Sequence, residues 1–92
     1  MKVHVKSLCS PRTGNPVANQ FSLQVGNDTY FQSYTTIIAK IASNGEITLD
    51  AKSWDYSHTT LKYLKEFLGI TYSKKEILDC IKKGVYKVAN LN

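Results

Sequence analysis

The stretch SWDYSHTTLKYLKEFLG, residues 53–69, brings an aspartate, a serine and a histidine within four positions. Asp55, Ser57 and His58 are the residue types of nucleophilic hydrolysis, in which a base takes the proton of a hydroxyl and an acid orients the base. Neighbours in one helical turn rarely meet that geometry, because the base must face the nucleophile and the acid must stand behind the base. A simpler account covers all three residues. Ser57 precedes an apolar stripe at helical spacing and suits the N-cap, where its hydroxyl accepts a first-turn N–H. Tyr56 and Leu61 then have the spacing of a hydrophobic staple, and Asp55 places negative charge at the positive end of the helix. We therefore expect a helix start here, no catalytic residues and no enzyme activity.

His4, His58, Cys9 and Cys80 are the soft metal-ligand types, but their spacings match no close-paired zinc pattern. No P-loop, dinucleotide-binding glycine pattern or paired-carboxylate motif is present. Neither a metal nor another cofactor is expected.

Aromatic and basic residues offer the other chemistry. TYFQSY (29–34) puts Tyr30 and Tyr34 on one face of a strand and Phe31 on the other. Exposed tyrosines beside lysines can stack unpaired bases, although ordinary core packing explains aromatics in a small domain equally well. Lys62, Lys65, Lys74, Lys75, Lys82, Lys83 and Lys87 decorate the second half. Part of this is local, since Lys62 precedes Glu66 by one helical turn and Lys82 and Lys83 complement a helix C-terminus. Tyr30, Tyr34, Lys62, Lys65, Lys74, Lys75, Lys82 and Lys83 are the candidate residues for binding a partner or a nucleic acid.

The elements that must position these groups follow from hydrophobic period. KVHVKSL alternates as a half-buried strand, CSPRTGNPVAN is a loop, and QFSLQV alternates most cleanly. GND turns that strand into TYFQSY, and SNG turns TTIIAKIA into EITLD, giving two hairpins. The period then changes. Leu61, Leu64, Phe67 and Leu68 form a helical stripe closed by Gly69, and SKKE (73–76) has capping-box form before Ile77, Leu78 and Ile81. The tail VYKVANLN is a short strand or an extended segment on the sheet. The expected fold is α+β: one domain over residues 1–92, with an antiparallel meander of four to five strands and two short helices packed on one face. Its core should hold Val5, Phe21, Leu23, Val25, Phe31, Ile38, Ile47, Leu49, Trp54, Leu61, Leu64, Phe67, Leu68, Ile77, Leu78 and Ile81.

Ninety-two residues suffice for one modest core and leave little room for a deep cleft as well. Twelve Lys+Arg against seven Asp+Glu give a formal charge of +5, and Arg12 is the only arginine. Residues 52–92 carry most of that excess, which favours a polyanion or an acidic protein as partner and also keeps the chain soluble. Two distant cysteines fit reduced thiols in a cytoplasm, and neither a signal peptide nor a membrane span is expected.

GNPVANQF (14–21), YFQSYTTIIA (30–39), ITLD (47–50), WDYSHTTLKYL (54–64), FLG (67–69) and the closing IKKG-VY…NLN together resemble a family of small uncharacterised proteins of tailed bacteriophages. The resemblance transfers no catalytic residue. It implies a phage gene product that works in the host (bacterial) cytoplasm by occupying a surface on a host protein or ribonucleoprotein. An inhibitor of a host defence system is the leading expectation. The alternative is a small basic RNA- or DNA-binding module using the helical lysines and the tyrosines. The surplus of aromatic and β-branched residues in TYFQSYTTIIA, with a sheet edge at KVHVKS that Lys2 and Lys6 blunt but do not close, also leads us to expect a symmetric homodimer formed through a sheet edge or the tyrosine-rich face.

Overall fold

A computed structural model describes residues 3–92. Lys2, expected to blunt a sheet edge, lies outside them. The chain is α+β, with six strands in one mixed sheet and two helices. The strands are β1 (Val3–Cys9), β2 (Pro16–Val25), β3 (Asp28–Ser33), β4 (Thr36–Ile41), β5 (Ile47–Asp50) and β6 (Tyr86–Ala89); α1 (His58–Leu68) and α2 (Lys74–Lys82) lie between β5 and β6. Spatial order equals sequence order. Strands β1 to β5 form the expected antiparallel meander, whereas β6 joins the far edge parallel to β5. The sheet is thus larger than expected, because a tail too short to read with certainty finds an open edge after the helices carry the chain back across.

The turns form where backbone freedom permits. Val25 pairs with Asp28 across Gly26-Asn27, and Gly26 has φ 62°. Gly45 (φ 86°) bends the connection from β4 to β5, where the Asn44 side chain accepts the Glu46 N–H at 2.9 Å. Helix α1 has Ser57 as N-cap and a left-handed Gly69 closing it. The full capping box forms at α2: the Ser73 hydroxyl accepts the Glu76 N–H, and the Glu76 carboxylate accepts the Ser73 N–H.

Both helices cover one side of the sheet. Phe31 stacks on Phe67 of α1 with centroids 5.7 Å apart. Register places Phe31, Ala39 and Leu49 side by side on the same surface, and these pack with Leu64 of α1 and Ile77 of α2. A bulge in β4 opposite Phe31 and Gln32 lets Ile38 and Ala39 both enter this core, which two consecutive strand residues cannot otherwise do. Trp54, Tyr63 and Tyr86 complete it.

The other side of the sheet carries no helix. Val3 pairs with Val25, Val5 with Leu23, and Leu23 with Tyr30, so these side chains share that uncovered surface with Phe21. This corrects the expected core. Val5 is 62% exposed, Leu78 is also exposed, and Phe21, Leu23 and Val25 are only half-buried. Alternation shows that a strand has an apolar face, but the helices lie on the polar side of β1 and β2. Gln20 is buried in their place, and its Oε1 has no hydrogen-bond partner among the described residues.

One further anchor holds the domain closed. Asp50 at the end of β5 is almost fully buried and accepts the Leu91 N–H at 2.9 Å. Burial pushes its carboxyl up, but the Leu91 backbone, the Ser53 and Asn92 side chains and the Lys52 backbone outweigh that and hold it below the ordinary value. Asn92 then bonds both backbone groups of Ile37, at 2.8 and 3.0 Å, fastening the tail to β4. No helix is long and apolar enough to cross a membrane among the described residues.

Candidate functional site

Asp55, Ser57 and His58 do not assemble into a hydrolytic site. The Ser57 hydroxyl is used as a cap, accepting the Thr60 N–H at 3.1 Å and lying 3.1 Å from the Thr60 hydroxyl. The Asp55 carboxylate faces Lys74 at 3.3 Å. His58 is the exposed first residue of α1, and no hydrogen bond joins it to Ser57 or Asp55 among the described residues. Cys9 and Cys80 are free thiols, and no group of three or more His, Cys, Asp or Glu able to hold a metal lies among the described residues.

The structure separates the candidate binding residues. Tyr30 stands half-buried on the helix-free surface with the Lys40 ammonium 5.7 Å from its ring centroid. Tyr34 is not on the strand at all: β3 ends at Ser33, and Tyr34 opens the turn into β4 with φ 55°. The expectation that both tyrosines share one strand face fails here, because the left-handed residue breaks the alternation. Lys62 and Lys65 lie on α1, with Lys62 over the Tyr63 ring at 5.4 Å. Lys74 and Lys75 mark the start of α2, whereas Lys82 and Lys83 mark its end. Lys87 pairs with Glu46 at 3.0 Å. The helical lysines and Tyr30 therefore belong to opposite layers.

Two features replace that constellation. The first is the helix-free sheet surface, where Val3 and Val5 are 56% and 62% exposed beside the half-buried Phe21, Leu23, Val25 and Tyr30. Its charge is low, since Lys40 is paired with Asp28 at 3.7 Å. Apolar surface of this kind is unfavourable in water, which makes it a candidate docking area.

The second is a cleft of about 480 Å³ at the end of the sheet where the β3–β4 turn meets the start of α1. Ser33, Thr36 and Ile38 line it from the sheet, Ser53 and Tyr56 from the connection, and Ser57, Thr59 and Thr60 from the helix start, with Tyr34 at the turn. Tyr34 and Tyr56 are strongly exposed, so they form its rim. A bulky aromatic residue at φ near +55° costs roughly 1–2 kcal/mol relative to right-handed backbone. Two bonds hold it there: the Tyr34 N–H donates to the Asn19 carbonyl at 2.7 Å, and the Tyr34 carbonyl accepts from Gln32 Nε2 at 2.7 Å. Asn19 itself has φ 64°, so the kink in β2 and the β3–β4 turn are built together. Sequence reasoning missed Tyr56 as a site residue. The signal lay in its place before the cap, next to a hydroxyl-rich helix start.

Comparison with known proteins places the chain without assigning an activity. Residues 3–84 match the model of a family of unknown function (DUF8033), and the chain belongs to that family. Neither a curated protein nor a solved structure matches it.

Proposed function

We propose that this member of a family of unknown function is a non-enzymatic binding protein that engages a protein partner through the helix-free surface of its sheet. The observation carrying this reading is the apolar stripe of Val3, Val5, Phe21, Leu23, Val25 and Tyr30, left open while both helices cover the opposite surface. The resemblance to small phage proteins gives the partner its setting: a host protein or ribonucleoprotein in the bacterial cytoplasm, inhibited or redirected by having a surface occupied. A host defence complex fits that role. The separation of Tyr30 from the helical lysines weighs against those residues acting together as a nucleic-acid surface.

The test is capture from host lysate with nuclease present, using the wild-type chain and a Val5→Glu variant, followed by reconstitution with the captured protein. A stoichiometric complex that survives nuclease and is lost in Val5→Glu supports the reading. The variant should stay folded, because Val5 is mostly exposed. Light scattering across a concentration series addresses the homodimer. A mass of about twice 10.4 kDa, abolished by Val5→Glu, would assign the surface to a second copy instead. A monomer that binds no host protein sinks both.

A further inference from the structure

We propose that the cleft between the β3–β4 turn and the start of α1 binds a single unpaired nucleobase, with Tyr34 and Tyr56 as stacking surfaces and the surrounding hydroxyls reading its edge. This site is independent of the sheet surface and of the partner proposed for it.

The cleft has the volume of a small-ligand site, about 480 Å³. Its chemistry selects the class of ligand. Tyr34 and Tyr56 are 63% and 77% exposed, and large planar rings left in water at the rim of one cleft are surfaces for another flat ring. Ser33, Thr36 and Thr59 supply hydroxyls, which both donate and accept and therefore suit the mixed edge of a base, whereas Ser57 and Thr60 bond each other and Ser53 bonds Asp50. Ile38 gives the floor an apolar patch.

No lining residue is charged. A phosphate held inside would need charged partners, so the cleft fits the uncharged part of a nucleotide and leaves any phosphate outside. Lys52, adjacent in sequence to the lining Ser53, supplies positive charge nearby, whereas the Lys74 ammonium is paired with Asp55 at 3.3 Å. The strained backbone at Tyr34 points the same way. Asparagine or glycine fits that position with less strain, and backbone held in such a region is a pointer to function.

Amide NMR titration of the whole chain tests this, with uridine, adenosine, their monophosphates, a short single-stranded oligonucleotide and glucose as probes. Shifts should concentrate on Ser33 to Thr36 and Ser53 to Thr60 with the base-containing probes and be absent with glucose. Tyr34→Asn and Tyr56→Ala should each weaken binding by about 5- to 150-fold, the range that loss of one stacked base produces. Both variants should keep the wild-type spectrum elsewhere, since both side chains are exposed and asparagine tolerates left-handed backbone. Tighter, salt-sensitive binding of the oligonucleotide would identify a single strand as the source of the base, whereas equal binding of nucleoside and oligonucleotide would identify a free nucleoside. Shifts with glucose as strong as with uridine, no shifts at these amides at millimolar nucleoside, or unchanged affinity in both variants would overturn the proposal.

Discussion

Replacing Phe31 by alanine and, separately, Val5 by alanine decides which side of the sheet is the packed one. Both residues lie on alternating strands and look alike in sequence. Phe31 is fully buried and stacks on Phe67 at 5.7 Å, whereas Val5 is 62% exposed. A buried phenyl side chain removes about 150–250 Å² from water. At roughly 25 cal/mol per Å² this is about 4–6 kcal/mol as an upper bound. Alanine keeps part of that, and the cavity left behind adds a cost, so about 3–5 kcal/mol is expected for Phe31→Ala. Val5→Ala removes little that the fold has buried and should change stability by about 0.5 kcal/mol or less. Urea unfolding followed by circular dichroism measures both. In a domain of this size 1 kcal/mol corresponds to roughly 4–8 °C in melting temperature. Phe31→Ala should therefore melt well over 10 °C below the wild type. Equal losses for the two variants would refute the placement of the helices and, with it, the docking surface.

Other outcomes follow from single contacts. Asp50→Asn should destabilise by about 2–3 kcal/mol, because a buried carboxylate loses charge-assisted bonds from Leu91 and the side chains around it. The Asp50 carboxyl titrates lower folded than unfolded, so its contribution is present above the ordinary carboxylate range and is lost as pH falls through the depressed value. Wild type should thus lose stability on acidification more steeply than the asparagine variant, as read from urea midpoints across acidic pH. Ser73→Ala removes the hydroxyl that accepts the Glu76 N–H, leaves the Ser73 N–H to Glu76 carboxylate bond of the α2 capping box in place, and should cost about 1 kcal/mol, measured by thermal melting. Gln20→Met removes a buried amide oxygen with no partner among the described residues and should be neutral or stabilising by about 1 kcal/mol; a clear loss in urea midpoint would show the amide to be engaged.

Local signals in the chain determine most of its elements. Alternation in QFSLQV, Gly-Asn turn chemistry, the stripe from Leu61 to Leu68 and the capping box at Ser73 all form where they are read, because each depends on contacts within a few residues. The two sides of the sheet are a different matter. Phe21, Leu23 and Val25 mark an apolar strand face whichever layer covers it, and only the path from β5 through α1 and α2 to β6 puts the helices on the other side. That path also turns Tyr86 into core and leaves Val5 in water. The cleft is likewise tertiary. Tyr34 and Tyr56 are 22 positions apart, and they share one rim only because the left-handed turn after β3 meets the cap of α1. Short-range sterics and hydrogen bonding set the elements; which surfaces they bury and which they leave open is set by long-range packing, and there the candidate sites arise.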